Sequence, residues 1–197
     1  VPAAYTAMLN HPEFDQTNFT SLRFACGGGA PLGQETLEDW ERRTGVPVLE
    51  GYGMTEGAPT CNNPLIGERR TLSVGKPVFG IALEVVDLKS GDKILEIGEP
   101  GEIRVRGTHI ATEYFNNKEQ TAAAFRDGWL YTGDIGYRDT DGFIFIVDRA
   151  KDMAIVSGFN VFPREIEEVL MIHPQIKEAA SIGVKDDEKG EVIKAFV

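Results

Sequence analysis

The sequence predicts a mixed fold that combines the end of a parallel α/β subdomain, a small antiparallel β-barrel-like subdomain and a truncated small α+β domain. Three observations predict it. Short strands alternate with a helix in residues 1–66, strands with alternating apolar and charged residues follow in 67–150, and a strand–helix–strand–strand order occupies 151–197. We therefore expect three parts with these boundaries.

The first part is predicted to be parallel because a helix separates its two short strands. A helix is expected over residues 2–9, before a strand over 22–26. The next helix, over 33–44, presents Leu37 and Trp40 on one side and acidic residues on the other, and Gly45 ends it. A second strand is expected over 46–49. This strand–helix–strand order with short loops is typical of a parallel α/β sheet.

The middle part is predicted to be mostly antiparallel. Residues 101–107 alternate apolar and charged side chains, which is the pattern of a strand with one buried face. Further strands are expected over 81–88, 129–137 and 143–147, with a short helix over 118–125. Together these elements favour a small barrel or sheet.

The last part is predicted to be a small α+β unit. A strand is expected over residues 153–156, and a helix begins at Pro163 and stops at His173-Pro174. Two more strands, over 176–184 and 192–197, surround a turn. The chain starts without Met and stops inside an apolar strand, so we expect a fragment of a longer protein.

Composition and charge exclude several classes of protein. The chain carries 20 Lys and Arg against 31 Asp and Glu, a net charge of −11, whereas nucleic-acid binders need clustered basic residues. Its apolar runs fall well short of the roughly 18–20 residues that span a membrane, and no signal sequence stands at Val1. Cys26 and Cys61 suggest free thiols rather than a disulfide framework. We expect a cytoplasmic chain with no nucleic-acid partner and no transmembrane segment.

Familiar catalytic motifs are absent. The sequence contains no Walker-type phosphate loop, no G-x-G-x-x-G dinucleotide fingerprint and no G-x-S-x-G elbow. Its three histidines are far apart and fit neither a triad nor a metal-ligand spacing. Hydrolase and zinc-site interpretations are therefore disfavoured.

Four short segments carry groups suited to a nucleotide. The loop 28–31 lets a flat ring lie against bare backbone, and the loop 51–57 combines an aromatic ring, a hydroxyl and a carboxylate. In 131–134 a carboxylate could accept two hydrogen bonds from vicinal hydroxyls, and a charged run begins at 148. Taken singly, each has a plainer interpretation, namely a tight loop, an ordinary turn or a solvated face.

In their order and spacing these segments resemble the acyl-adenylate-forming enzymes, which include acyl-CoA synthetases, luciferases and peptide-synthetase adenylation domains. The resemblance covers nearly the whole chain. Residues 148–167 are most similar to the acyl-CoA synthetase, or fatty-acid–CoA ligase, branch of this AMP-binding superfamily.

The resemblance implies a role for each site residue. One wall of the adenine site would come from Gly29, Ala30 and Pro31, and the other from Tyr52. Thr55 would bind the α-phosphate and Glu56 the Mg²⁺. The ribose would be held by Asp134 and Arg149, Lys151 would be the hinge of the C-terminal domain, and Gly158 would lie beside the pantetheine channel.

The activity implied by the resemblance is ATP-dependent ligation of a carboxylic acid to coenzyme A, and the acid is expected to be a fatty acid. The substrates would be a small-molecule acid, ATP and CoA, with Mg²⁺ as cofactor and AMP as product. Two alternatives stay open: an adenylation domain that loads a carrier protein, and a non-catalytic nucleotide-binding module. The family's phosphate-binding loop and C-terminal lysine are not in this sequence, so we expect the chain alone to be inactive in adenylation.

Overall fold

The structure, a computed structural model, describes residues 1–173, 175–176, 178–186 and 188–197. Its helices are α1 (Pro2–Leu9), α2 (Gln34–Thr44), α3 (Lys118–Ala124) and α4 (Pro163–Met171). Its strands are β1 (Ala25–Gly27), β2 (Val48–Met54), β3 (Gly57–Asn62), β4 (Lys76–Pro77), β5 (Ile81–Val86), β6 (Gly101–Gly107), β7 (Phe125–Arg126), β8 (Trp129–Arg138), β9 (Ile144–Arg149), β10 (Ala154–Val156), β11 (Phe159–Val161), β12 (Ala180–Asp186) and β13 (Gly190–Phe196).

Residue contacts group the chain into two compact units. The first unit contains Val1–Glu84, Arg104–Tyr131 and Arg138–Phe145, and the second contains Val85–Ile103, Thr132–Tyr137 and Ile146–Val197. The three-part division expected from the sequence stays a prediction. Among the described residues, no helix combines the length and the apolar character needed to cross a bilayer.

The parallel pair predicted near the start of the chain is confirmed. β1 pairs with β2 in parallel, with Ala25 opposite Val48 and Gly27 opposite Glu50. The connecting helix α2 ends at Gly45, whose φ of 69° is left-handed and therefore favours glycine. The apolar side of α2 lies in the core of the first unit, which contains Tyr5, Leu9, Phe14, Leu32, Leu37, Trp40 and Val48.

β2 continues beyond the predicted end of its strand. Its C-terminal half turns back into the antiparallel strand β3, with Gly51 opposite Asn62 and Tyr52 opposite Cys61. The segment 51–57, expected as a loop, is thus mostly a β-hairpin. The sheet order is β1-β2-β3-β4.

A second sheet has the order β5-β6-β8-β7, with β9 paired to β8. In β6 the predicted alternation is confirmed, since Ile103 and Val105 are fully buried while the intervening Arg104 is only half-buried. α3 is followed at once by the hairpin of β7 and β8, in which Arg126 stands opposite Trp129. The antiparallel character predicted for this part is therefore confirmed.

The C-terminal part of the second unit is an antiparallel sheet of order β11-β10-β13-β12. Its hairpin from β10 to β11 turns at Ser157 and Gly158, which both have positive φ, and the sequence prediction missed β11. Helix α4 begins at Pro163 as predicted. Its predicted stop falls partly on Pro174, which lies outside the described residues.

Candidate active site

The glycine loop predicted to lie against a flat ring follows β1, directly beside the strand that carries Tyr52. Because Gly27 stands opposite Glu50, the residues that follow each of them are neighbours. A Cβ added to Gly28 would lie 3.2 Å from the Gly51 carbonyl oxygen, so the two backbones run close together. Gly29 has a φ of +80°, a backbone conformation that favours glycine.

Beyond this turn the glycine loop is exposed and the tyrosine is half-buried. Ala30 and Pro31 both face solvent, whereas Tyr52 is partly covered within β2. The first unit therefore brings Gly29, Ala30 and Pro31 to the same sheet edge as Tyr52, because the carboxyl end of β1 lies beside the middle of β2.

Glu50 anchors this loop and was missed by the sequence prediction. The residue is only 7% exposed, and its Oε1 accepts a hydrogen bond from the Leu32 amide at 3.2 Å. The Glu50 carbonyl oxygen also accepts from the amide nitrogen of Asn63 at 3.0 Å. The signal that could have found it is a carboxylate at the end of an apolar strand, since a buried carboxylate needs hydrogen-bond donors.

Thr55 and Glu56 form the tip of the β2–β3 hairpin. Met54 stands opposite Gly57, so these two residues are the whole turn. Thr55 is exposed, whereas Glu56 is half-buried and accepts a hydrogen bond from the Tyr114 hydroxyl at 2.5 Å from its Oε1. This bond, with burial and the carboxylate charge adding to it, raises the pKa of Tyr114 to about 12.

Asp134 lies within β8 in the second unit, where its residue is 7% exposed. The Thr132 hydroxyl holds the strand around it, accepting from the Asp134 amide at 3.1 Å and donating to the Ile103 carbonyl at 2.8 Å. Arg149, at the end of β9, places its Nε 3.2 Å from the Asp134 Oδ1. The structure thus brings together the two residues predicted to hold a ribose.

Gly133 allows the backbone to turn beside Asp134. Its φ is +71°, its amide donates to the Glu102 Oε1 at 3.1 Å, and its carbonyl accepts from the Ala150 amide at 2.9 Å. These bonds tie β6 and the end of β9 to the aspartate-bearing strand. Lys151 follows Ala150 in an exposed turn.

Gly158 is a turn residue in this structure. Its φ is +87°, and nothing lies within 4 Å of a Cβ built on it. The local reason for a glycine is therefore its left-handed conformation, and its expected closeness to a pantetheine chain stays a prediction. Nearby, the Asp148 Oδ2 accepts from the Arg164 amide at 3.2 Å and so stabilises the start of α4.

The predicted site residues thus fall into two groups, each held within one unit. The first unit carries Gly29, Ala30, Pro31, Tyr52, Thr55 and Glu56, and the second carries Asp134, Arg149, Lys151 and Gly158. Across the described ranges of the chain, no cluster of three or more His, Cys, Asp or Glu side chains is placed to hold a metal ion. The only metal role expected from the sequence is that of Glu56, a single carboxylate.

The chain is similar in sequence to known CoA ligases. It is 43% identical over 198 residues to the long-chain-fatty-acid–CoA ligase of Escherichia coli O157:H7, covering 100% of this chain and 35% of that protein. It is also 43% identical over 183 residues to the 2-succinylbenzoate–CoA ligase of Bacillus pumilus, covering 90% of this chain and 36% of that protein. The chain therefore spans about a third of the length of these relatives.

A solved structure agrees with the sequence comparison. ATP-bound MatB from Rhodopseudomonas palustris matches with a TM-score of 0.90 and 38% identity, over 98% of this chain and 39% of that chain. Residues 1–115 match the family model of the AMP-binding enzyme, and residues 165–197 match that of the AMP-binding enzyme C-terminal domain. Since the first match alone covers more than half of the chain, this protein belongs to the AMP-binding enzyme family.

Proposed function

We propose that this chain is the nucleotide-binding part of an ATP-dependent carboxylic acid–CoA ligase that acts on a fatty acid. The observation that carries the proposal is the pairing of Asp134 with Arg149, a buried carboxylate held 3.2 Å from an exposed guanidinium. A carboxylate accepts two hydrogen bonds side by side, which suits the two hydroxyls of a ribose.

The residues predicted to hold the base and the α-phosphate lie in the first unit. The adenine ring would lie between the Tyr52 ring and the backbone of Gly29, Ala30 and Pro31, because bare backbone and an aromatic face both accept a flat ring. The exposed Thr55 hydroxyl would donate to the α-phosphate.

Magnesium fits the site as an ion that arrives with the phosphates of the nucleotide. Mg²⁺ usually keeps several waters and is bound by one or two carboxylates together with substrate phosphates. Glu56 at the hairpin tip provides one such carboxylate, and the described residues offer no larger ligand cluster. When bound there, the ion would neutralise phosphate charge.

The proposed chemistry has two steps. The carboxylate of the acid attacks the α-phosphorus of ATP, which forms acyl-AMP and releases pyrophosphate. The thiol of CoA then attacks the acyl carbonyl, so that a thioester forms and AMP leaves. The chain's residues would contribute by positioning the nucleotide and balancing its charge. Between the steps the C-terminal part would rotate about Lys151, and Gly158 would border the pantetheine arm.

The name of the relative in Escherichia coli O157:H7 supports a long-chain fatty acid as substrate, and that of the relative in Bacillus pumilus supports an aryl acid. We propose the fatty acid because several of the similar ligases carry the long-chain name. The experiment must therefore compare both chemical classes in one assay.

The test uses the complete open reading frame that contains this chain. The purified protein is incubated with ATP, Mg²⁺, CoA and a panel of long-chain, medium-chain and aryl acids, while AMP release and thioester formation are measured. We expect AMP and a thioester with a long-chain acid. Activity with aryl acids alone would overturn the substrate assignment. ATP binding without AMP release would indicate a non-catalytic module, and acyl-AMP that is passed only to a carrier protein would indicate an adenylation domain.

A further inference from the structure

We propose that Tyr114 is a positioning residue for Glu56, whose carboxylate it holds in one orientation at the tip of the β2–β3 hairpin. The inference rests on the proposed function, because it assigns a use to the Glu56 carboxylate. It adds a residue from a distant segment, 58 positions along the chain. Tyr114 itself would touch neither nucleotide nor acid in this role.

The contact between the two side chains is short and directional. The Tyr114 hydroxyl donates to the Glu56 Oε1 at 2.5 Å, the distance of a strong bond to a charged acceptor. One carboxylate oxygen is thereby held, and in the proposed role Oε2 would meet a cation or a phosphate-bound water.

The backbone of Glu56 is held by the same segment. The Ala111 amide donates to the Glu56 carbonyl oxygen at 2.6 Å. A Cβ on Gly57 would overlap the end of the Ile110 side chain, so the two segments are closely packed. Since backbone and side chain are fixed together, the hairpin tip has little freedom to carry the carboxylate elsewhere.

Tyr114 is itself built into a rigid frame. Its amide donates to the Thr121 Oγ1 at 2.9 Å, and that hydroxyl donates to the Asn117 carbonyl at 2.7 Å, which joins the segment to α3. The tyrosine ring packs edge-on against Phe125, with ring centroids 5.4 Å apart. An aromatic ring locked on one side by packing is a fixed point from which a hydroxyl can orient a carboxylate.

The physical reason for such a residue is the place of Glu56 on a two-residue turn. A glutamate there has three rotatable side-chain bonds, and ordering them costs free energy whenever a ligand is bound. A carboxylate already fixed by the protein avoids that cost at the moment of binding. We therefore expect the loss of the hydroxyl to weaken binding that passes through Glu56.

The test compares Tyr114→Phe with wild type in the complete open reading frame. Calorimetry measures the dissociation constant of Mg²⁺ with α,β-methylene-ATP, a nucleotide that cannot react. We expect the variant to bind about 10-fold more weakly, because the released glutamate side chain must be ordered when the ligand binds. In turnover, the Mg²⁺ concentration for half-maximal acyl-AMP formation should rise by a similar factor, while kcat at saturating Mg²⁺ should recover.

Tyr5→Phe is the matched control. It also removes a tyrosine hydroxyl from a hydrogen bond in the first unit, but its acceptor is the Cys26 carbonyl, at 2.7 Å. A general loosening of the unit would affect both variants equally. The inference is supported if Tyr5→Phe binds Mg²⁺ and nucleotide like wild type while Tyr114→Phe binds them more weakly. Equal losses of affinity in the two variants overturn it.

A double-mutant cycle separates this inference from the proposed function. Glu56→Gln should weaken Mg²⁺-dependent nucleotide binding, and adding Tyr114→Phe to it should produce no further loss, because the two side chains act as one unit. Additive losses would overturn the positioning role while the proposed function stands. If wild type itself neither binds Mg²⁺ with the nucleotide nor forms acyl-AMP, the proposed function fails, and the inference fails with it.

Discussion

The Nε of Arg149 lies 3.2 Å from the Oδ1 of Asp134. The aspartate side chain is 10% exposed, whereas the arginine side chain is 62% exposed. The pair therefore joins a buried position on β8 to the surface of the second unit. Its carboxylate is held from one side by a cation, and the Thr132 hydroxyl fixes the backbone that carries it. We regard this pair as the best point at which to test nucleotide binding.

Replacing Asp134 with Asn should lower the affinity for ATP. The substitution keeps the shape of the side chain but removes its charge and one of its two acceptor oxygens. A hydrogen bond to a charged group contributes roughly 1.5–3 kcal/mol, so we expect a loss of about 10- to 100-fold, measured by equilibrium binding of ATP to the complete protein.

Asp141→Asn provides the control for that experiment. Asp141 is a carboxylate paired with Arg70 in the first unit, and its side chain is 51% exposed. Its replacement removes one charge without touching the proposed site, so ATP binding should stay within about 2-fold of wild type. Equal losses in the two variants would mean that Asp134 has no specific contact with the nucleotide.

Gly158→Ala should cost stability through the backbone alone. The residue has a φ of +87°, and an alanine in the left-handed region costs roughly 1–2 kcal/mol, whereas asparagine is better tolerated there. Since nothing lies within 4 Å of the added Cβ, we expect no clash in this structure. Denaturant unfolding of Gly158→Ala and Gly158→Asn measures the difference in stability between the two variants.

The same two variants test the proposed contact with the pantetheine arm. If the arm passes close to Gly158, Gly158→Asn should slow thioester formation while leaving acyl-AMP formation unchanged, because only the second step would meet the added side chain. Equal rates of thioester formation in wild type and variant would remove Gly158 from the proposed binding site.

Leu37→Ala should destabilise the first unit strongly. Leu37 is 3% exposed and packs in the core cluster with Trp40, so truncation leaves a cavity there. The expected loss is roughly 2–5 kcal/mol in the free energy of unfolding. Leu22→Ala is the comparison, since Leu22 is 41% exposed and its truncation should cost less than about 0.5 kcal/mol.

The pairing of Glu41 with Arg69 should make stability depend on pH in the acid range. Burial by itself would raise the pKa of Glu41, but hydrogen bonds from Arg69 and the Val48 amide, with the arginine charge, lower it below its ordinary value of 4.5. A carboxylate whose pKa is lowered by folding stabilises the fold above pH 4.5, and this contribution is lost as the pH falls through the lowered value.

Glu41→Gln measures that contribution. At pH 7 the variant should be less stable than wild type by about 1 kcal/mol, in line with a partly exposed ion pair. The difference should shrink as the pH falls below 4.5, because the wild-type carboxylate then becomes protonated. A difference that stays constant with pH would show that the side chain acts by packing rather than by charge.

Local patterns in the sequence are sufficient to predict several elements almost to the residue. α2 ends at Gly45 and β6 spans Gly101–Gly107 as expected, because a left-handed glycine and a strict alternation of side chains act within a few neighbouring residues. The glycine loop follows β1 as expected, but Tyr52 lies within β2, which extends past the predicted end of its strand. The resemblance to the acyl-adenylate-forming enzymes, which covers nearly the whole chain, predicts the role of each site residue.

The extent of β2, the strand β11 and the contacts of Glu50 and Tyr114 were decided by the tertiary structure alone. β2 continues to Met54 because β3 pairs with it, and β11 exists because the turn at Gly158 returns the chain onto β10. Glu50 and Tyr114 become important only when folding brings Leu32 to the first and Glu56 to the second. A hydrogen bond between residues that are 58 positions apart leaves no periodicity in the sequence, because its partners are chosen by the path of the backbone rather than by their neighbours in the chain.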